Sequence, residues 1–296
     1  MIEWFKCPDN QVITVKDCLS RCQLGERCLT LPTLALMAQE REWKGIPSTT
    51  QLLNGTMYEF LKLTQPYVVD PNDRAFMLAG IKHHEELNIK AKELGLPSEI
   101  PLNIDRDIFD LLEPENGSFN LTDYKLWGSY RVVKALGLVE VGKKPDPSGA
   151  VYKTPGKWGK AGEPKMVSVF QPMLQEVDLF NEELQLNRYR IMLEELGIAI
   201  SKMQLQVTVR DGGLAIASGR GLTRNIYRIP ISRLNDSKVS TYFAGKIEAL
   251  EEALRNKAWT IPCNDRECWE GARCKRYCEV AMYCPKGMLY QQVPNG

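Results

Sequence analysis

The sequence predicts an α/β protein with cysteine-rich ends. Three observations carry this: strongly helical stretches recur along the chain, β-like apolar runs lie between them, and all nine cysteines fall near the termini. Cys7, Cys18, Cys22 and Cys28 sit at the front; Cys263, Cys268, Cys274, Cys278 and Cys284 sit at the back. Residues 29 to 262 hold none. Thiols gathered this way point to metal ligation at both ends, and an odd count argues against a complete disulfide framework.

The elements follow in order. Residues 1 to 45 form a first, cysteine-containing segment. Pro47-Ser48-Thr49-Thr50 reads as a turn and helix cap leading into QLLNGTMYEFLKL. Asp73 is the expected cap of a helix over RAFMLAGIKHHEELNIKAKEL, closed by Gly95 and Pro97. Residues 108 to 112 and 119 to 125 read as the strands of a hairpin, with turn chemistry between them at residues 113 to 117. Residues 142 to 165, rich in Gly, Pro and Lys, read as a mobile basic insertion. A helix over residues 181 to 196 ends at Gly197, and LQVTV, residues 205 to 209, is a buried strand entering an Asp211-Gly212-Gly213 turn. Residues 240 to 257 form an amphipathic helix with Phe243, Ile247, Leu250 and Leu254 on one stripe. The expected domains are residues 1–45, a core over 46–262, and a cysteine-rich metal-binding segment over 263–296.

Bulk properties exclude some classes. The chain has 296 residues, 44% hydrophobic and 25% charged, as in soluble globular proteins. No apolar run is long enough to span a membrane, so no membrane partner is expected. MIEWFKCPDN lacks the regions of a signal peptide, and a cytoplasmic location is expected. A net charge of +1 means that a nucleic-acid binder of this composition must segregate its charge.

The chemistry-bearing residues begin with Asp110 and, thirteen positions on, Asp123-Tyr124-Lys125. Strand side chains alternate faces, so Asp123 and Lys125 project together, and a hairpin can bring Asp110 beside Asp123. Two adjacent carboxylates repel unless a cation sits between them, and hard oxygen donors suit Mg²⁺ or Mn²⁺. Lys125 can orient a water or stabilise developing charge. The two histidines are adjacent. Phe76, Gly80, His84 and Leu87 share one helical stripe that looks buried, which makes His84 rather than His83 the inward-pointing one. Gln185 and Tyr189 lie four apart on one helix face, where they can contact a phosphate or order the lysine.

The order of these elements carries a resemblance. GIKHHEEL with Gly80 and His84, FDLL with Asp110, LTDYK with Asp123 and Lys125, and QLNRY with Gln185 and Tyr189 succeed one another over roughly residues 48 to 284. Together they resemble the RecB-like branch of PD-(D/E)XK nucleases, which includes the CRISPR-associated adaptation nucleases. The resemblance implies a restriction-endonuclease-like core, a central mixed sheet flanked by helices. It implies a metal held by His84, Asp110, Asp123 and the backbone carbonyl of Tyr124. It implies Lys125 as catalytic lysine, with Gln185 and Tyr189 supporting the site and the DNA. It implies cleavage of DNA, often single-stranded and often from an end. The run Asp105-Arg106-Asp107-Ile108-Phe109-Asp110 departs from the family pattern and makes Asp107 a competitor of Asp110.

Many members of this branch carry a [4Fe–4S] cluster with one ligand before the core and three after it, which implies Cys28, Cys274, Cys278 and Cys284. The three-residue gap between Cys274 and Cys278 is one longer than usual for the family. Zinc remains the alternative, with one Cys₄ site from Cys7, Cys18, Cys22 and Cys28 and another from Cys268, Cys274, Cys278 and Cys284. Arg131, Lys134, Lys143, Lys144, Lys153, Lys157, Lys160 and Lys165, interleaved with Trp127, Tyr152 and Trp158, make a candidate DNA surface. Arg220, Arg224, Arg228 and Arg233 make a second. The expected function is therefore a metal-dependent deoxyribonuclease. The alternatives are an inactive nucleic-acid-binding or assembly protein with structural metals, and a redox-active iron–sulfur protein.

Overall fold

The structure is a computed structural model that describes residues 1–103, 106–156 and 159–291. The chain begins with strands β1 (Ile2–Lys6) and β2 (Val12–Thr14), then helices α1 (Val15–Ser20), α2 (Leu31–Met37), α3 (Thr49–Leu52) and α4 (Thr56–Thr64), and strand β3 (Tyr67–Val69). Helix α5 (Ala75–Glu93) leads to β4 (Ser98–Asn103), β5 (Asp107–Glu115) and β6 (Ser118–Trp127). Helix α6 (Ser129–Leu136), strands β7 (Leu138–Pro145) and β8 (Met166–Pro172), helix α7 (Phe180–Glu195), strand β9 (Ile200–Val209), helix α8 (Ala215–Ser218) and strand β10 (Ile226–Ile231) follow. The chain closes with helices α9 (Asp236–Asn256), α10 (Ala272–Arg276) and α11 (Pro285–Gln291). It is a mixed α/β fold with mixed sheets flanked by helices. No helix among the described residues is long and apolar enough to cross a membrane.

The chain divides into two compact units rather than three consecutive segments. Unit 1 comprises Met1–Lys82, Pro101–Ile108 and Leu234–Gly296; unit 2 comprises His83–Ile100 and Phe109–Arg233. The two cysteine-bearing ends thus belong to one unit, because they share a core. Phe5, Leu34, Met37, Phe60 and Tyr67 from the front pack with Leu250, Ala253, Val280 and Cys284 from the back. A small sheet of order β2-β1-β3 lies in the same unit, antiparallel between β1 and β2 and parallel between β1 and β3.

The main sheet has the order β10-β9-β6-β5-β4. Strands β5 and β6 form the expected hairpin, but it runs longer, and its two-residue turn is Asn116-Gly117, both at positive φ (49° and 81°). That is the Asn-Gly pairing favoured by the twist of a tight hairpin. Strand β6 pairs parallel with β9, and β9 antiparallel with β10. β6 is therefore central, and Leu121, Thr122, Asp123 and Tyr124 are buried in succession.

Several local expectations are corrected. The helix expected from residue 49 onward is broken in two, with Ser48 capping α3 in a capping box and Gly55 opening α4. Asp70, not Asp73, caps the turn before α5, its side chain accepting from the Asn72 amide. The Phe76–Gly80–His84–Leu87 stripe is not a buried one, since Phe76 is 62% exposed. Of the stretch read as a mobile insertion, residues 142 to 145 belong to β7, which pairs antiparallel with β8 from Leu138–Pro172 to Pro145–Met166. Lys157 and Trp158 lie outside the described residues.

Candidate active site

Asp110 and Asp123 come from the facing strands β5 and β6, each the next residue along from the paired Leu111 and Thr122. Both are buried. The backbone N–H of Tyr124 donates to Asp110 Oδ2 at 2.6 Å. Burial, and then the neighbouring Asp123 charge, push the Asp110 carboxyl up to about 7. His84, Lys125 and the Tyr124 amide work the other way without cancelling this.

His84 is brought in by α5. One and two turns further along that helix, Leu87 and Ala91 pack against Leu111 and Tyr124 of the hairpin, so the apolar contact fixes the imidazole's position. Its Nδ1 lies 3.6 Å from Asp110 Oδ2 and 3.5 Å from Glu99 Oε1. The hydrogen bond to Glu99 raises the pKa of His84 against the effect of burial, and the Asp110 charge adds to the rise. His83 turns elsewhere, 3.4 Å from Thr208 Oγ1, and its pKa is lowered by burial.

Lys125 lies on the Asp123 side of β6, as strand alternation requires. Its Nζ is 2.7 Å from Asp123 Oδ2 and donates to Gln185 Oε1 at 3.4 Å. Burial would lower the lysine pKa, but Asp123 and Asp110 outweigh it and hold the ammonium above its ordinary value. Helix α7 supplies the support. The Gln185 amide donates to Asp123 Oδ1 at 3.2 Å and to the Tyr189 hydroxyl at 3.4 Å. One amide thus spans the acid, the ammonium and the phenol.

The structure therefore brings together His84, Asp110, Asp123, Lys125, Gln185 and Tyr189. It adds Glu99, which the sequence reading missed. His84, Glu99 and Asp110 form the group, among the described residues, whose metal-donor atoms all lie within 4.8 Å of one another. Tyr124, expected through its carbonyl, meets the site with its N–H, which donates to Asp110. Asp107, the competing acid, is fully buried in unit 1, where it accepts from the Thr49 amide at the start of α3 at 2.6 Å. An imidazole beside buried carboxylates is a donor set that fits a hard divalent cation such as Mg²⁺ or Mn²⁺. A cation there would replace the Asp110 proton and offset the repulsion between the acids.

The cysteines of unit 1 fall into two groups. Cys263, Cys268, Cys274, Cys278 and Cys284 line one cavity, with Tyr58, Arg273 and Lys286 around it. Burial raises the Cys278 thiol to about 12 and the Cys263 thiol to about 11. Cys28 is not among the lining residues of that cavity; its charge acts on Cys7 and Cys18 instead. Of the expected quartet, Cys274, Cys278 and Cys284 line this cavity. Cys263 and Cys268 are the further thiols of its lining.

Part of the basic surface is structural. Arg131 stacks over Trp127 at 4.6 Å, pairs with Glu182 at 2.7 Å and donates to the Asp178 carbonyl. Arg220 donates to Ser129 Oγ at 2.6 Å, Arg228 to Gln204, and Arg233 pairs with Glu194. Lys143, Lys144, Lys153, Lys160 and Lys165 stand exposed on or beside the β7–β8 ribbon.

No protein-family model and no curated protein match the chain. It is similar to a solved structure described as "Crystal structure of SSO0001", at 14% identity and a TM-score of 0.39, over 92% of this chain and 93% of that one.

Proposed function

We propose that the acidic site of unit 2 is the active centre of a divalent-metal-dependent deoxyribonuclease, carried on a restriction-endonuclease-like core. One observation carries the reading. Asp110 and Asp123 are buried side by side, His84 lies 3.6 Å from one and Lys125 lies 2.7 Å from the other. Burying two acids together is unfavourable unless they serve a bound charge. His84, Asp110 and Asp123 would hold the ion, with Glu99 as a further carboxylate.

When bound, such an ion polarises a phosphodiester and lowers the pKa of a coordinated water. The protein's own groups do the rest. Asp123 and Asp110 keep Lys125 charged, so it offers a proton and a positive charge to a phosphate oxygen. Gln185 holds both Lys125 and Asp123 in place, and Tyr189 anchors the same amide. The exposed lysines of the β7–β8 ribbon supply cations for a DNA backbone.

The test is cleavage of end-labelled single- and double-stranded DNA with Mg²⁺ or Mn²⁺. The wild type should cut. Asp123→Ala and Lys125→Ala should each lose at least about a hundredfold in rate, the scale of one electrostatic or acid–base group, with unchanged circular dichroism. Equal cutting by both variants would remove the assignment.

A further inference from the structure

In unit 2, the strand that carries Asp123 and Lys125 runs on to an exposed aromatic ring. We propose, resting on the deoxyribonuclease reading of the acidic site, that Tyr130 is a base-stacking residue. It takes an unpaired nucleobase of the strand being cut, and so tells a single strand from a duplex.

The path starts on β6. Its pairing with β9 runs without a register shift from Asn120 to Trp127. Asp123, Lys125 and Trp127 therefore project on one side, each about 7 Å beyond the last. Helix α6 opens directly after, with Gly128 as its N-cap. Arg131, in its first turn, reaches back toward the site. Its guanidinium lies 4.6 Å from the Trp127 ring centre and pairs with Glu182 of α7 at 2.7 Å. Glu182, Gln185 and Tyr189 share one face of that helix. Trp127, Arg131 and Glu182 thus bridge Lys125 and the first turn of α6.

Tyr130 stands on that turn. Helix α6 buries Ser129, Val132 and Ala135 and turns Tyr130 outward, 61% exposed. A single exposed apolar side chain is ordinary on a protein surface. This one is held in place and flanked by charge. Arg220 lies 5.8 Å from the ring centre and donates to Ser129 Oγ at 2.6 Å. Ser129 in turn donates to Asp211 through its N–H at 2.6 Å and its hydroxyl at 2.5 Å. Lys134, one turn on along α6, sets its ammonium 5.0 Å from the same ring. Arg131 and Arg220 have acids beside them, Glu182 and Asp211. Among the described residues Lys134 pairs with none.

A ring beside an uncompensated ammonium suits a nucleotide. The base offers a flat π face to the ring, and the phosphate offers its charge to Lys134. An acidic peptide would satisfy the lysine and leave the ring in water. A duplex would reach the lysine with its phosphates, but its bases stay stacked on one another. The ring therefore favours an unpaired base. Because Arg220 and Ser129 already fix its surroundings, binding costs little further ordering.

The experiment measures binding of a fluorescein-labelled single strand, and of its duplex, to the full-length protein without added divalent metal. Wild type, Tyr130→Phe and Tyr130→Ala are compared, and circular dichroism checks the fold. The ratio of single-strand to duplex affinity should fall at least about fivefold in Tyr130→Ala, the scale of one base–aromatic stack, and be kept in Tyr130→Phe. A 2-aminopurine moved along the single strand should be quenched at one position by the wild type and Tyr130→Phe, and not by Tyr130→Ala. An unchanged ratio in Tyr130→Ala overturns the proposal. So does an equal loss in Tyr130→Phe, or quenching that survives in Tyr130→Ala. Adding Mn²⁺ to the same samples separates the two claims. Cutting by the wild type with an unmoved ratio keeps the nuclease and removes the stacking residue. A ratio that falls in a protein that does not cut keeps the stacking residue and removes the nuclease.

Discussion

Asp110 is the residue on which the charge balance of the acidic site turns. Its carboxyl is raised from 3.8 to about 7, by burial first and Asp123 second. An unfolded chain ionises this group from near 3.8, the folded one only near 7, so stability falls as pH rises between the two values and levels off above. The penalty at pH 8 is on the order of a few kcal/mol in the metal-free protein. Asp110→Asn keeps an oxygen to accept the Tyr124 N–H and removes the charge. Metal-free Asp110→Asn should therefore melt above the wild type at pH 8, with the gap closing toward pH 4. Mg²⁺ should raise the wild-type Tm more than that of the variant. A variant that melts lower than the metal-free wild type at pH 8 would contradict this balance. That Asp123 and Lys125 stand together on one side of β6 was legible from strand alternation alone. Glu99 was not: it sits at φ 50° between Pro97 and Pro101, outside any periodic pattern. Its approach to His84 is a property of the folded chain.

At the scale of elements, the helices and the hairpin were legible because each carries a local signature. Gln185 and Tyr189 share a face of α7, and Gly197 closes that helix at φ 81°. The ribbon of β7 and β8 was not legible, because its pairing is long-range and a Gly-, Pro- and Lys-rich stretch stands between its strands. Its entry is set by Gly137, the C-cap of α6 at φ 60°, ψ 31°. A Cβ there would stand 2.3 Å from the Met173 carbonyl oxygen and 2.9 Å from Val177 Cγ2. Gly137→Ala adds a left-handed alanine, which costs about 1–2 kcal/mol, to a clash with backbone. Urea unfolding should show a loss of at least about 2 kcal/mol. A change below about 0.5 kcal/mol would mean that the α6–β7 junction adjusts freely.

Over the whole molecule, a net charge of +1 conceals a division of labour. The two cysteine groups and the terminal segments belong to unit 1, and the acidic site and basic ribbon to unit 2. Sequence clustering located the cysteines but could not sort them. Cys28 and Cys284 are 256 positions apart, and only the fold decides whether such thiols meet. In the same way the arginines Arg131, Arg220 and Arg233 looked like DNA contacts in sequence, yet they are bound to Glu182, Ser129 and Glu194. On the proposed deoxyribonuclease reading, the exposed lysines would carry the charge for DNA. Lys143→Glu with Lys144→Glu should weaken DNA binding uniformly across sequences and flatten the dependence of log K on log salt, by about 0.7 per lost phosphate contact on single strands. An unchanged slope would place the DNA path elsewhere. The most direct measurement for the acidic site is Mn²⁺ binding by electron paramagnetic resonance, with cleavage followed in the same samples. The wild type should take up an ion that Asp110→Asn and Asp123→Asn bind at least about tenfold more weakly, with cutting lost in parallel. Undiminished binding in both variants, or cutting that persists without the ion, would contradict it.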